Sequence, residues 1–293
     1  MRIVFIGSVK FSLDMLEALA EMNVSIVGVC TKKSSEFNSD FVDLSSYCKQ
    51  KSFPWIFCED INSAESISWI SSLKPDVIFC FGWSQIIKRE ILEIPPLGVF
   101  GFHPAALPRN RGRHPIIWAL VLGLTETAST FFRMDNGADT GDIVSQVRVE
   151  IKPNHDASSL YEEITRIAQS QLAEFVPKLV LGTIVTHKQD NSLSNVWRKR
   201  NHIDGEIEWR MSAESIHNLV RGLSKPYVGA HFMYKDNEIK VWKTAIAEEN
   251  PKNLEPGKIL AITQTGTIVK CGVGAICIVE TDPPLELVEG EYL

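Results

Sequence analysis

No apolar run in this 293-residue sequence approaches the roughly 18 consecutive residues that a membrane span requires. The opening stretch, residues 1–7, is short, apolar and stops at Gly7, so it reads as a first strand and not as a signal peptide. The six cysteines, Cys30, Cys48, Cys58, Cys80, Cys271 and Cys277, include no CxxC pair, and several lie in apolar runs. That spacing argues against a zinc or disulfide framework and for reduced core thiols in a cytoplasmic protein. The turn after the first strand, Ile6-Gly-Ser-Val-Lys-Phe-Ser12, has a single glycine where a dinucleotide loop needs GxGxxG. NAD(P) binding is therefore not expected there, although the turn amides, Ser8 and Lys10 could serve another ligand. A basic excess is missing as well. The net charge is −6. Residues 201–293 hold 9 Lys+Arg against 14 Asp+Glu (−5), which leaves 21 against 22 (−1) in the first 200. Neither part has the cationic balance of a nucleic-acid binder, and the second strand is followed only by Lys32 and Lys33. No internal repeat is present.

The composition that remains, 44% apolar and 23% charged, is that of an ordinary globular chain long enough for two domains. In the first half, strand-like runs at 3–6, 25–30, 54–57, 75–81 and 98–102 alternate with helical patterns at 11–20 and 61–73. This alternation predicts an α/β domain with a parallel sheet wound on both faces. Ligands bind such sheets beyond the carboxyl ends of the strands. Residues 127–134 and 143–149 read as strands flanking a loop, and Asp156 as the cap of a long helix. Residues 191–210 are polar and read as a linker. Beyond them, Ser212 caps a helix that Pro226 stops. Short strands at 230–234, 239–246, 258–262, 267–271 and 275–279 then suggest a small β-barrel. The expected domains are 1–190 and 211–293, joined by 191–210.

His103 directly follows the strand at 98–102, and Pro104 biases its backbone to an extended form. Asp139 arrives 36 residues later, in the glycine-bracketed loop Met134-Asp-Asn-Gly-Ala-Asp-Thr-Gly-Asp142. A histidine and an aspartate at a sheet edge form a general-base arrangement that works without a metal. The carboxylates at 135, 139 and 142 lack the spacing of a calcium loop, and no metal is expected. Cations cluster locally at Arg109, Arg111 and Arg113, and at Arg198-Lys-Arg200 beside Asn201 and His202. Such clusters suit one diphosphate and not a polynucleotide, and a solvated linker remains an equal reading of the second.

The segments 1–7, 103–112, 115–118, 125–127, 134–135 and 138–143 together resemble the 10-formyltetrahydrofolate-dependent formyltransferases. That family includes methionyl-tRNA, glycinamide ribonucleotide and nucleotide-sugar N-formyltransferases. The likeness resumes at 204–209, 219–223 and 228–230. It implies a Rossmann-like, doubly wound, mostly parallel sheet with a small C-terminal OB-like barrel. It also implies 10-formyltetrahydrofolate as co-substrate, with the folate beside Phe81, Gly82, Trp83, Gln85, Ile86, Ala138 and Asp139. The family's catalytic set is Asn, His and Asp. His103 and Asp139 match it, but Gly101 stands at the asparagine position, and Asn110 is the first candidate to replace that donor. The stretch from His103 to Trp118 most resembles enzymes that formylate amino sugars on a nucleotide carrier. The expected acceptor is thus a dTDP- or UDP-linked amino-deoxy sugar, such as a 4-amino-4,6-dideoxy sugar destined for surface polysaccharide. Ser8, Lys10, Arg109, Arg111, Arg113, Arg200 and Asn201 are its candidate ligands. No nucleic-acid or membrane partner is expected, and the related sugar enzymes suggest a homodimer. A methionyl-tRNA formyltransferase and a folate-binding relative with impaired catalysis are the alternatives.

Overall fold

Ile3, Val4, Phe5 and Ile6 are all fully buried, so strand β1 (Arg2–Ile6) presents apolar side chains to both of its faces. Only a strand covered on each side accepts that pattern. The computed structural model describes residues 1–35, 39–248 and 252–293. The chain divides into two units, the first comprising Met1–Pro115, Thr127–Val149 and Glu162–Trp197, and the second Ile116–Glu126, Glu150–Tyr161 and Arg198–Leu293.

In the first unit β1 is followed by α1 (Lys10–Ala20), β2 (Ser25–Thr31), α2 (Ser45–Lys51), β3 (Trp55–Phe57), α3 (Ala64–Ser72), β4 (Val77–Cys80), α4 (Arg89–Leu92), β5 (Val99–His103) and the short β6 (Arg111–Gly112). Along the chain, helix α5 (Pro115–Val121), which from Ile116 belongs to the second unit, then precedes β7 (Glu126–Arg133), β8 (Ile143–Glu150), α6 (Ala157–Val180), whose first residues to Tyr161 also belong to the second unit, and the short β9 (Val196–Trp197). The main sheet runs β3-β2-β1-β4-β5-β7-β8. Its members from β3 to β5 are parallel, and β7 joins β5 antiparallel. Successive side chains on a strand point to opposite faces. Val4, Ile6, Ile78, Cys80 and Val99 accordingly meet Ile70 of α3 and Ile91 of α4. Phe5, Phe79, Phe81, Phe100 and Phe131 form an aromatic network with Phe11 of α1 and Phe175 of α6.

The second unit is built on α7 (Ala213–Gly222) and the strands β10 (Ala230–Tyr234), β11 (Asn237–Ile246), β12 (Ile259–Thr263), β13 (Gly266–Lys270) and β14 (Ala275–Asp282). Ser212 caps α7 by accepting from Ser215 N. The strands follow the order β10-β11-β14-β13-β12, all antiparallel, over a core of Trp209, Ile216, Leu219, Phe232, Val241 and Ile276. The five strands lie where the alternation placed them, but among the described residues none pairs β10 with β12. They form the separate small antiparallel C-terminal sheet. The expected boundaries also shift. Residues 116–126 and 150–161 belong to the second unit, because Ile117 joins its core and Arg221 donates to the His155 carbonyl. The polar stretch 191–210 is not a plain linker, since β9 pairs in parallel with β6. All six cysteines are buried and unbridged. Among the described residues no helix is long and apolar enough to cross a membrane.

Candidate active site

His103 is the last residue of β5, at the carboxyl edge of the sheet, and is only 5% exposed. The loop beyond it is tied down by side chains of β7 and β8. Thr127 Oγ1 donates to the Pro104 carbonyl at 3.1 Å and Thr130 Oγ1 to that of Ala105 at 2.7 Å. Gln146 Nε2 donates to the Leu107 carbonyl at 3.0 Å. The loop then turns back so that the Asn110 carbonyl lies 2.7 Å from His103 Nε2. A carbonyl can only accept, so Nε2 carries the proton, and in a neutral ring the lone pair sits on Nδ1. That nitrogen faces Asp139 Oδ2 at 3.7 Å, too far for a direct hydrogen bond.

Asp139 is delivered by a loop with a demanding backbone. Asp135 Oδ1 accepts from Gly137 N and Thr140 Oγ1, and Asp139 itself adopts φ of 57°. A Cβ on Gly141 would lie 1.7 Å from the Arg133 carbonyl, so the return of the loop requires glycine. The Asp139 carboxylate is fixed by Gly112 N, which donates to Oδ2 at 2.9 Å. Gln189 holds the loop from beneath. Its Nε2 donates to the carbonyls of Asp139 (2.9 Å) and Gly141 (2.7 Å), while its Oε1 accepts from Arg111 Nη2 at 2.6 Å.

Gly101 lies on β5 opposite Phe132 of β7. A Cβ there would meet the Phe132 ring at 2.9 Å and Met134 Cγ at 3.1 Å. The space of the missing asparagine is thus filled by Phe132. Asn110 has φ of 63°, and its backbone N donates to Asn195 Oδ1 at 2.8 Å. Its side-chain amide has no hydrogen-bond partner among the described residues.

The other expected ligands fall into distinct groups. Phe81 is fully buried in the aromatic network, and its carbonyl accepts from Ser12 Oγ, so it supports the site as core and offers no surface. Gly82 follows it with φ of 67°. Gln85 is committed to the Glu59 carbonyl and Ile61 N. Ile86 is 67% exposed and Ala138 exposed, free to cover a ring. Trp83 Nε1 and Ser8 Oγ are buried without a hydrogen-bond partner, an arrangement that invites a ligand or water. Lys10 is paired with Asp14. Arg109 is exposed, and Arg113 donates to the Ser84 carbonyl at 3.0 Å. Arg111 and Arg200 were expected to face a diphosphate, but both are buried. Arg111 serves Gln189 and Asn191, and Arg200 donates to the Asp204 carbonyl and lies over Trp118. Asn201 N donates to Asp204 Oδ2 at 2.8 Å. Sequence reasoning missed Gln189, Asn191 and Asn195, because they sit in a polar stretch without periodicity or motif.

Residues 1–176 match the sequence family described as formyl transferase, and 200–285 the family described as formyl transferase, C-terminal domain. The chain is 32% identical over 282 residues to a methionyl-tRNA formyltransferase of Geobacter metallireducens, covering 95% of this chain and 89% of that one. Among solved structures, the sugar 3N-formyltransferase WlaRD, determined in the presence of dTDP and 5-N-formyl-THF, superposes with a TM-score of 0.72 at 19% identity, covering 97% of this chain and 99% of that one. An N-formyltransferase from Helicobacter canadensis, in complex with folinic acid and dTDP-3-aminofucose, gives 0.71 at 20% identity, covering 94% and 98%.

Proposed function

This chain belongs to the formyl transferase family, and from that premise we propose that it moves the formyl group of 10-formyltetrahydrofolate to the primary amine of a dTDP- or UDP-linked amino-deoxy sugar, such as a 4-amino-4,6-dideoxy sugar. The observation that carries the chemistry is His103 Nδ1, which faces the anchored carboxylate of Asp139 while Nε2 is engaged by the Asn110 carbonyl. The neutral amine attacks the formyl carbon and a carbon–nitrogen bond forms. Its proton passes to His103 Nδ1. The imidazolium then stands beside Asp139, whose charge stabilises it. Collapse of the tetrahedral intermediate breaks the bond to folate N10, which takes the proton back from His103. The intermediate's oxyanion needs a donor, and the unpaired amide of Asn110 is the side chain nearest in sequence to supply one. Exposed Ile86 and Ala138, with Trp83 Nε1 lacking a partner, support a folate site there.

A small acceptor is favoured by charge. A tRNA needs many free cations, yet residues 201–293 carry a net −5, and Arg198, Arg200 and Arg221 are held by the chain's own oxygen atoms. The identity to methionyl-tRNA formyltransferases favours the tRNA as a second reading. A formyl-transfer assay with 10-formyltetrahydrofolate separates them, with dTDP- and UDP-linked amino sugars tested beside initiator methionyl-tRNA. Transfer to one sugar nucleotide is expected. Transfer to tRNA alone overturns the acceptor, and folate binding without any transfer overturns the catalytic reading.

A further inference from the structure

In the second unit two imidazoles and a carboxylate converge on one point. His231 on β10 pairs across the sheet with Lys240, which places Glu238 of β11 diagonally beside it on the same face. His202 arrives from the turn before residue 203 and brings its Nε2 to 2.7 Å from Glu238 Oε2. His231 Nε2 lies 3.9 Å from that same oxygen, and the two rings are 4.1 Å apart between centroids. One ligand atom from each of the three residues falls within 4.8 Å of the others. At metal–ligand bonds near 2.0–2.1 Å, tetrahedral zinc sets its ligand atoms about 3.3 Å apart, so small side-chain rotations close the triangle.

The surroundings are built for fixed geometry. The turn that carries His202 is knotted by Asp204, whose carboxylate receives Arg198 Nη1 and Nη2 at 2.7 and 2.5 Å and Asn201 N at 2.8 Å. The His231 side chain is 4% exposed, and its Nδ1 is buried without a hydrogen-bond partner. Coordination through Nε2 would leave the proton on Nδ1, so the case for the ion rests on the three converging ligand atoms and not on that nitrogen. Lys240 holds the other Glu238 oxygen, Oε1, at 2.7 Å and opposes a second cation, while the Glu206 carboxylate acts on His231 in the opposite sense.

We propose that His202, His231 and Glu238 bind one first-row divalent transition-metal ion, with zinc(II) the best fit, and that the ion staples the 198–206 turn to the β10–β11 hairpin. Two imidazoles and one carboxylate suit this class over magnesium or calcium, which take oxygen ligands. The fourth position would be left to water. The sequence offered no metal-ligand spacing here, because the ligands come from a turn and from a diagonal pair across two strands.

The test uses the full chain without an affinity tag, stripped with a chelator and titrated with zinc(II) by calorimetry. One ion per chain is expected, with cobalt(II) giving the visible bands of a tetrahedral site. His202→Ala, at an exposed position that leaves the fold intact, should weaken binding by at least roughly 100-fold, as should Glu238→Gln. Zinc should raise the Tm of the wild type and not of His202→Ala. His103→Ala should keep the site. Absence of stoichiometric binding overturns the proposal, as does unchanged affinity in His202→Ala or loss of the ion in His103→Ala.

Discussion

Two loops carry a side chain up to a buried histidine, and they are braced in opposite ways. In the first unit the 135–142 loop brings Asp139 to His103; Asp135 ties the loop from within, and the brace from outside it is neutral: Gln189 gives both amide hydrogens to backbone carbonyls and takes one from Arg111. In the second unit the 198–206 turn brings His202 to His231, and its brace is the charged Asp204, gripped by Arg198. The difference follows from the neighbours. Beside a histidine proposed as the general base, a further carboxylate in the outside brace would compete with Asp139 for the imidazolium's charge, whereas an amide holds geometry without adding a negative charge. Away from proton transfer, a carboxylate is the stronger tie because its hydrogen bonds are charge-assisted.

The widest separation of the two histidines comes from replacing each. His103→Ala should lower the rate by about 10²- to 10⁴-fold while folate affinity stays near that of the wild type. His202→Ala should leave turnover unchanged. Steady-state kinetics with a folate-binding titration reads both, and retained turnover in His103→Ala would remove the general base from the mechanism. Next comes the donor beside His103. Asn110→Gly keeps the left-handed backbone and the carbonyl that engages Nε2, and deletes only the amide. A fall of roughly 10²- to 10³-fold in kcat is expected. A near-normal rate would transfer the oxyanion to a backbone N–H or to water.

The comparison also shows what a sequence makes legible. The buried strands 3–6, 77–80 and 99–103 announce themselves as apolar runs, because both faces of a central strand must avoid water. His103 and Asp139 stand out because each adjoins a strand end or a glycine-rich turn. The braces do not. Gln189 acts on partners 48, 50 and 78 residues away and Asn195 on one 85 residues away, and no local pattern records such pairings. Arg111 and Arg200 misled for the same reason: a guanidinium looks free in a sequence, and only the folded chain supplies the carbonyls and amides that bury it. Helices α2 and α5, each of seven residues, are too short for a clear amphipathic stripe.

A smaller effect sharpens the neutral brace. Gln189→Ala frees the carbonyls of Asp139 and Gly141 and removes the partner of Arg111. It acts through geometry, so kcat should fall roughly 10- to 100-fold with little change in KM and no shift in the pH profile. Gln189→Glu keeps an acceptor for Arg111 but loses both donors and adds a charge, so it should move the pH profile as well. If the two variants match in rate and profile, the neutrality of the brace has no role.

The smallest effect belongs to the charged brace and tests it by pH. The Arg198 guanidinium beside Asp204 holds that carboxyl down at about 2, helped by the backbone of Asn201. In the unfolded chain the group returns to the ordinary carboxylate value near 4. The folded state therefore gains from Asp204 above pH ~4, and the gain disappears as pH falls through about 2. Asp204→Asn should cost about 1 kcal/mol at neutral pH, since Arg198 is largely exposed and water screens the pair. For a unit of this size that is a Tm lowered by roughly 2–4 °C. Between pH 5 and 8 the gap between variant and wild type should stay constant, and it should close as the solution approaches pH 2. The same substitution should weaken zinc(II) binding, because His202 would lose its fixed turn, while formyl transfer in the first unit continues at the wild-type rate. A Tm gap that persists at acid pH would show that Asp204 braces the turn by shape alone, and the contrast between the two loops would then lie in hydrogen-bond geometry and not in charge.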